Sequence, residues 1–256
     1  MTTDHLVPAD IAELYELHEW RNAVGVLQTA CPGEWTEIQA TLRSFRLHRS
    51  EVLKAGGARS TIVERLERPL KDAGWVEKHF ATAIVVDGVQ RDSPTHSVDC
   101  FKGRVALEVE WNNKDPFYDR DLINFQALHR EGAIAVGVIV TRGPYLQALI
   151  SPTIRSRDGG FKYGQSTTHW TKLLPKVNLG GGGECPLLLV GIEPERIQGI
   201  DLAREVKVRL EEAAHFKETW REQHARWADA KPVYDAMWRE AVDLMPPVTE
   251  ERDTPE

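Results

Sequence analysis

Apolar and polar positions change period along this chain, and each change predicts an element. Ile11, Leu14, Tyr15 and Leu17 fall on one side of Ala9 to Trp20, with Asp10 near the start, which predicts an amphipathic helix. Trp35 to Leu53 carries Ile38, Leu42, Phe45 and Leu47 at mostly helical spacing, and residues 55–58 (Ala-Gly-Gly-Ala) read as a loop. Ser60 can N-cap a helix whose core line is Ile62, Val63, Leu66 and Leu70, with a kink or early stop expected at Pro69. Val76 to Asp87 contains the strand-like run Ala-Ile-Val-Val. Phe117 to Glu131 reads as a helix ended by Gly132. Ala133 to Thr141 and Leu187 to Ile192 are continuous apolar runs, as buried central strands require. Residues 143–184 are rich in Gly, Pro, Ser and Thr and read as a long loop. Asp201 to about Asp243 is charged and helical, with Trp220, Trp227 and Trp238 supplying bulk, and residues 246–256 read as a disordered tail.

Between these elements, Val105 to Trp111 alternates. Val105, Leu107, Val109 and Trp111 share one face, and Arg104, Ala106, Glu108 and Glu110 the other. Two carboxylates thus point the same way along one strand. A shorter run, Thr95 to Val98, leads into Asp99, and the intervening Cys-Phe-Lys-Gly-Arg holds the turn residue Gly103. A hairpin there brings Asp99 beside Glu108. Clustered acids repel unless a cation compensates, and a hard divalent ion such as Mg²⁺ does so through oxygen ligands. On these residues alone a solvated sheet face is the commoner reading. The segment after the strand, Trp111-Asn-Asn-Lys-Asp-Pro-Phe117, shifts that balance by placing amides, a cation and aromatics beside the acids.

Asp, eight residues, then Glu-x-Glu, on a hairpin followed by a helix and a second apolar strand, resembles the PD-(D/E)xK nuclease core. More narrowly, the chain resembles the BglII/BstYI type of type II restriction endonuclease. The matching stretches are 45–60, 98–117, 164–170 and 182–192, in family order from about residue 40 to about 195. The resemblance implies a restriction-endonuclease-like α/β fold: a mixed central sheet flanked by helices, with a helical C-terminal extension at about 200–243 and a single domain over 1–245. It implies Mg²⁺ held by Asp99, Glu108 and the carbonyl of Val109. Glu110 takes the third catalytic position, usually Gln in this group and Lys in the wider superfamily; Glu there is a departure, though BamHI-like relatives carry it. A fourth acid often comes from an upstream helix, for which Glu67 is the candidate and Glu64 the alternative. Asn112, Asn113 and Lys114 are implied at the DNA, as are Arg59, Ser60, Ser166, Thr167, Thr168 and His169. Asn can pair with adenine and Lys can reach guanine or phosphate, whereas small hydroxyls name no base. His169 has no nucleophile to pair with in the sequence.

Composition adds bounds. The chain has 256 residues, 41% hydrophobic, and a net charge of −7, which argues against non-specific nucleic-acid binding over the whole surface. Charge is unevenly spread, however. Residues 43–60 hold five basic side chains against Glu51, and residues 142–176 hold six against Asp158, which suits a local DNA cleft as well as plain solvated loops. Cys31, Cys100 and Cys185 are widely spaced, as free thiols in a reducing cytoplasm, and a zinc site is not expected. The N-terminal residues lack the pattern of a signal peptide, and no apolar run approaches a membrane span. Gly180-Gly-Gly-Gly183 lacks the Lys-Ser/Thr of a phosphate-binding loop.

The expected function is therefore Mg²⁺-dependent cleavage of double-stranded DNA at a short palindrome. By family, the site is GATC-centred, the enzyme is a cytoplasmic homodimer, and a cognate DNA methyltransferase protects the host. Two alternatives stay open: a PD-(D/E)xK nuclease of DNA repair, and a catalytically silent DNA-binding module.

Overall fold

The computed structural model describes residues 4–48, 51–52, 60–93, 96–151, 161–197 and 203–244. Along the chain the strands are β1 (Tyr15–Trp20), β2 (Val76–Lys78), β3 (Thr82–Val86), β4 (Val89–Ser93), β5 (Val98–Lys102), β6 (Val105–Glu110), β7 (Val136–Arg142) and β8 (Leu187–Ile192). The α-helices are α1 (Ala9–Ala12), α2 (Ala23–Ala30), α3 (Pro32–Ser44), α4 (Thr61–Asp72), α5 (Pro116–Arg130), α6 (Pro144–Ile150), α7 (Trp170–Asn178), α8 (Ala203–Thr219) and α9 (Trp227–Asp243). The expected loop at 55–58, the DNA contact at Arg59 and the tail at 246–256 lie outside the described residues.

Six strands form one mixed sheet in the order β1-β8-β7-β6-β5-β2, and β3 pairs only with β4. The alternating strand β6 and the two apolar runs, β7 and β8, lie side by side and parallel at its centre. Every residue of these three strands is buried, because helices cover both faces of a parallel sheet. β5 and β1 run antiparallel outside them.

The folded residues gather in two units. The first holds Met1–Phe45, Gly57–Gly143 and Ser166–Ile192, and so contains the whole sheet. One of its cores joins Ala106 of β6, Ile139 of β7 and Leu187 and Leu189 of β8 to Leu122 and Phe125 of α5 and Leu173 of α7. At Gly137 a Cβ atom would come within 2.4 Å of the Phe125 ring, so the absence of a side chain is what lets α5 lie this close to the sheet. The second unit, built from Arg46–Gly56, Pro144–Gln165 and Glu193–Glu256, is helical. There Glu193 is buried and accepts the Leu146 N–H at 3.0 Å, burial pushing its carboxyl up to about 8. Trp238 Nε1 donates to the Ala148 carbonyl at 3.1 Å, tying α9 to α6.

Several local expectations change. The helix over Ala9–Trp20 stops at Ala12, and Tyr15–Trp20 is instead the edge strand β1, in register with β8 from Tyr15↔Ile192 to Trp20↔Leu187. Leu14, Tyr15 and Leu17 satisfy either period, and the open edge of β8 decides between them. The helix expected over Trp35–Leu53 begins at Pro32 and ends at Ser44, where Phe45 turns extended. Pro69 does not stop α4, which continues to Asp72. The long loop at 143–184 contains α6 and α7. Ser60 does cap α4, its side chain accepting the Ile62 N–H at 3.3 Å.

Candidate active site

The hairpin forms as its sequence predicts. Lys102 pairs with Val105 and Cys100 with Leu107, across a two-residue turn in which Gly103 adopts φ +55°, a conformation glycine takes without strain. The same register carries Asp99 opposite Glu108, and the Asp99 N–H donates to Glu108 Oε2 at 3.4 Å. Glu108 Oε1 is buried and has no donor among the described residues.

Glu108 and Glu110 share their face of β6 with Ala106, which belongs to the core under α5. The helix that packs on Ala106 therefore also covers the two acids. It is fixed there by a chain of hydrogen bonds. Tyr118 OH lies 2.6 Å from Thr141 Oγ1 on β7, and that hydroxyl donates to the Glu110 carbonyl at 2.8 Å. One helical turn beyond Tyr118 comes Asp121, a buried carboxylate that the sequence pattern did not single out. Tyr118, Asp121, Leu122, Phe125 and Leu128 form the buried stripe of α5, so a carboxylate at a core position was the signal available.

Asp121 is the residue that joins the acids together. Burial is the main cause that pushes Glu108 well above the ordinary carboxylate range, and Asp99 and then Asp121 add to it. Glu110 is pushed up to about 8, first by burial and then by Asp121, whose carboxyl hydrogen-bonds with its own. Burial also raises Asp121, with Arg120 opposing, and Asp99 contributes to the rise. Glu110 is further held by Asn113, whose Nδ2 donates to Oε2 at 2.8 Å.

A cation enters from the same helix. Arg120 Nε and Nη2 donate to Asp121 Oδ1 at 2.8 and 2.7 Å, and Nη2 lies 3.6 Å from Glu110 Oε1. Its guanidinium carbon sits 4.4 Å from the centre of the Phe117 ring.

Glu67 is buried on α4 and paired with Lys71 one turn later, while the alternative, Glu64, is exposed. The charge of Glu67 bears on Cys100, which alternation sets on the Leu107 face of the hairpin, not the Glu108 face. Burial first, and Glu67 next, push the Cys100 thiol up to about 12. Asp99, Glu108, Glu110 and Asp121 interact with one another, and Glu67, Asp99 and Glu108 all bear on Cys100.

The two segments expected at the DNA are zipped to each other. Asp115 N–H donates to the Ser166 carbonyl at 3.0 Å and Thr168 N–H to the Asn113 carbonyl at 2.8 Å, flanking a bridge between Lys114 and Thr167. Asn113, Lys114 and Ser166 are exposed and Asn112 and Thr167 partly so, whereas Thr168 and His169 are buried. His169 Nδ1 is bonded to Thr171 Oγ1 at 2.9 Å. Beneath this strip, the fully buried Arg142 donates to Thr167 Oγ1 at 2.7 Å and to the Thr168 carbonyl, with its guanidinium 5.8 Å from the Trp111 ring centre. Of the basic side chains counted over residues 142–176, Lys176 is committed to Asp119 and Lys172 lies 4.0 Å from Asp115; Arg155 and Arg157 lie outside the described residues.

Among the described residues no three His, Cys, Asp or Glu side chains form a ready metal cage. The donor set still suits magnesium, which is commonly held by one or two carboxylates, with water and substrate phosphate completing the shell. Buried acids facing each other, with one oxygen lacking any donor, are what a divalent cation compensates. No helix among the described residues is long and apolar enough to cross a membrane. No curated protein matches the chain. Residues 15–192 match the family model of restriction endonuclease BglII/BglIII, a span that runs from β1 to the last residue of β8.

Proposed function

The chain belongs to the BglII/BglIII restriction endonuclease family, and on that premise we propose a residue-level reading of how it cuts double-stranded DNA at a specific site. The observation that carries this reading is the pair of half-buried Asp99 and buried Glu108: the Asp99 N–H donates to one Glu108 oxygen, the other lacks a donor among the described residues, and Glu110 follows on the same face of β6. Asp99, Glu108 and the Val109 carbonyl would hold Mg²⁺. When bound, that ion supplies charge stabilisation at the phosphoryl oxygens and acidifies water. Glu110, in its ionised form, would orient the attacking water and take its proton. The water oxygen bonds to phosphorus, the bond to the leaving ester oxygen breaks, and that oxygen takes up a proton from solvent. Glu67, buried on α4 and paired with Lys71, stays the candidate for the fourth acid.

Asn113, Lys114 and Ser166 are the exposed members of the zipped strip and are assigned to DNA contact, with Asn112 and Thr167 beside them. Thr168 and His169 hold the strip from within. The family reading extends to a GATC-centred palindrome and to a homodimer, because two-fold protein symmetry mirrors two-fold site symmetry. It also extends to a cytoplasmic setting and a partner methyltransferase. The test is digestion of unmethylated phage DNA with Mg²⁺ by wild type and Glu108→Ala, followed by sequencing of the ends. Fragments sharing a GATC-centred palindrome, lost in the variant, are the expected result. Random ends favour a repair nuclease, and binding without cutting favours a silent module.

A further inference from the structure

The acid group poses a problem for its own substrate. Asp99, Glu108, Glu110 and Asp121 are four carboxylates, and the third catalytic position, where the wider superfamily has lysine, is one of them. Beyond the Mg²⁺ that Asp99 and Glu108 would hold, a scissile phosphate brought to this group meets further acids, and any second positive charge must come from a side chain. The geometry provides one. Arg120 is held by two bonds to a single oxygen of Asp121 and lies over the Phe117 ring, while the side chain keeps 30% of its surface exposed. Only one of its two terminal nitrogens is engaged by Asp121, and the same nitrogen comes within 3.6 Å of Glu110. Its charge is felt at Asp121, Glu110 and Glu108 in that order. The group is therefore held by Asp121, partly open to solvent, and adjacent to Glu110.

We propose that Arg120 is a catalytic residue: its guanidinium, positioned by Asp121 and Phe117, binds the scissile phosphate and supplies the positive charge that lysine supplies in other members of the superfamily. The proposal rests on the nuclease reading above. A planar guanidinium suits this task because it stays charged beside any acid and matches two phosphate oxygens at once. Asp121 is a positioning residue: it aims the guanidinium and touches no substrate. This arrangement also accounts for a buried carboxylate in the apolar stripe of α5, which packing alone disfavours.

The test uses the full chain with unmethylated phage DNA. Wild type, Arg120→Ala, Arg120→Lys and Asp121→Asn are compared by single-turnover cleavage in Mg²⁺ and by binding of the same DNA in Ca²⁺. Arg120→Ala is expected to cut about 100-fold more slowly while binding DNA nearly as well. Added guanidinium ion is expected to restore part of that rate, which it would not do for a residue serving only the fold. Arg120→Lys is expected to retain intermediate activity, and Asp121→Asn to lower the cleavage rate without losing guanidinium-independent binding. Cutting by Arg120→Ala at the wild-type rate overturns the proposal, as does a rate loss matched by an equal loss of binding. Failure of the wild type to cut removes the nuclease reading itself and this proposal with it. That arm is read before any variant, so the two failures are told apart.

Discussion

Two neighbouring hairpins, β3–β4 and β5–β6, invert each other. Both are antiparallel pairs joined by two-residue turns, at Asp87-Gly88 with φ +52° and +76° and at Gly103-Arg104. The first displays its apolar side chains: Ile84, Val85, Val86 and Val89 are each about half exposed or more. The second buries Glu108 and Glu110, both 1% exposed. Polarity alone would have assigned the burial the other way round. What separates them is attachment. β6 pairs in parallel with β7 and lies under α5, whereas among the described residues β3 and β4 pair only with each other. The position of a strand in the sheet decides its burial, and side chains that contradict that position mark where stability has been given up for chemistry.

The comparison is broken most severely at Glu108. Replacing it by Ala should lower cleavage by about 10³-fold. At the same time Glu108→Gln, without metal, should melt higher than wild type, because a buried carboxylate with one oxygen lacking a donor costs stability. Lower melting of the Gln variant by calorimetry would show that the acid is satisfied in the fold. Next comes pH. Glu110 has an ordinary value of 4.5 and a folded value of about 8, so between these the folded state holds a proton that the unfolded state has released. Stability of the metal-free protein should therefore fall as pH rises through this window, by about 1.4 kcal/mol per pH unit at most. Glu110→Gln should flatten that slope in denaturant titrations, and an unchanged slope would reassign the proton. Tyr118→Phe removes the hydroxyl that ties α5 to Thr141 and should cost about 1 kcal/mol. The smallest effect is expected on the ribbon. Val85→Lys, at a position 65% exposed, should stay within about 0.5 kcal/mol of wild type. A larger loss in urea would mean that these valines are covered in solution.

Much of the first unit was legible because its signals are local. The runs that became β7 and β8 are nearly all apolar, β6 alternates, and Gly103 fixes the turn that sets Asp99 against Glu108. Glu108 and Glu110 could be put on one face by alternation alone. Asp121 could not be joined to them, because its meaning depends on which face of β6 the next helix covers, and no local period encodes that. β1 was misread for a related reason: Leu14, Tyr15 and Leu17 fit a helix, and the strand exists only because β8 offers its edge. The helices α6 and α7 were hidden among turn-forming residues whose composition outweighed the short stripes Leu146, Leu149, Ile150 and Trp170, Leu173, Val177.

The β1–β8 pairing also sets a clock. Trp20 must wait for Leu187 and Tyr15 for Ile192, a separation of about 170 residues. At ribosomal rates of about 5–20 residues per second, that is a delay of roughly 8 to 35 seconds between emergence of the first strand and arrival of its partner. The hairpin bearing Asp99 and Glu108 and the helix bearing Asp121 are both synthesised within that interval. The strip at Ser166–Thr168 follows later, just before β8. A nascent chain thus exposes its acids well before the sheet that rigidifies them can close. A message broken before Leu187 yields a chain whose β7 keeps an open edge, a product fit for proteolysis and not for cutting DNA.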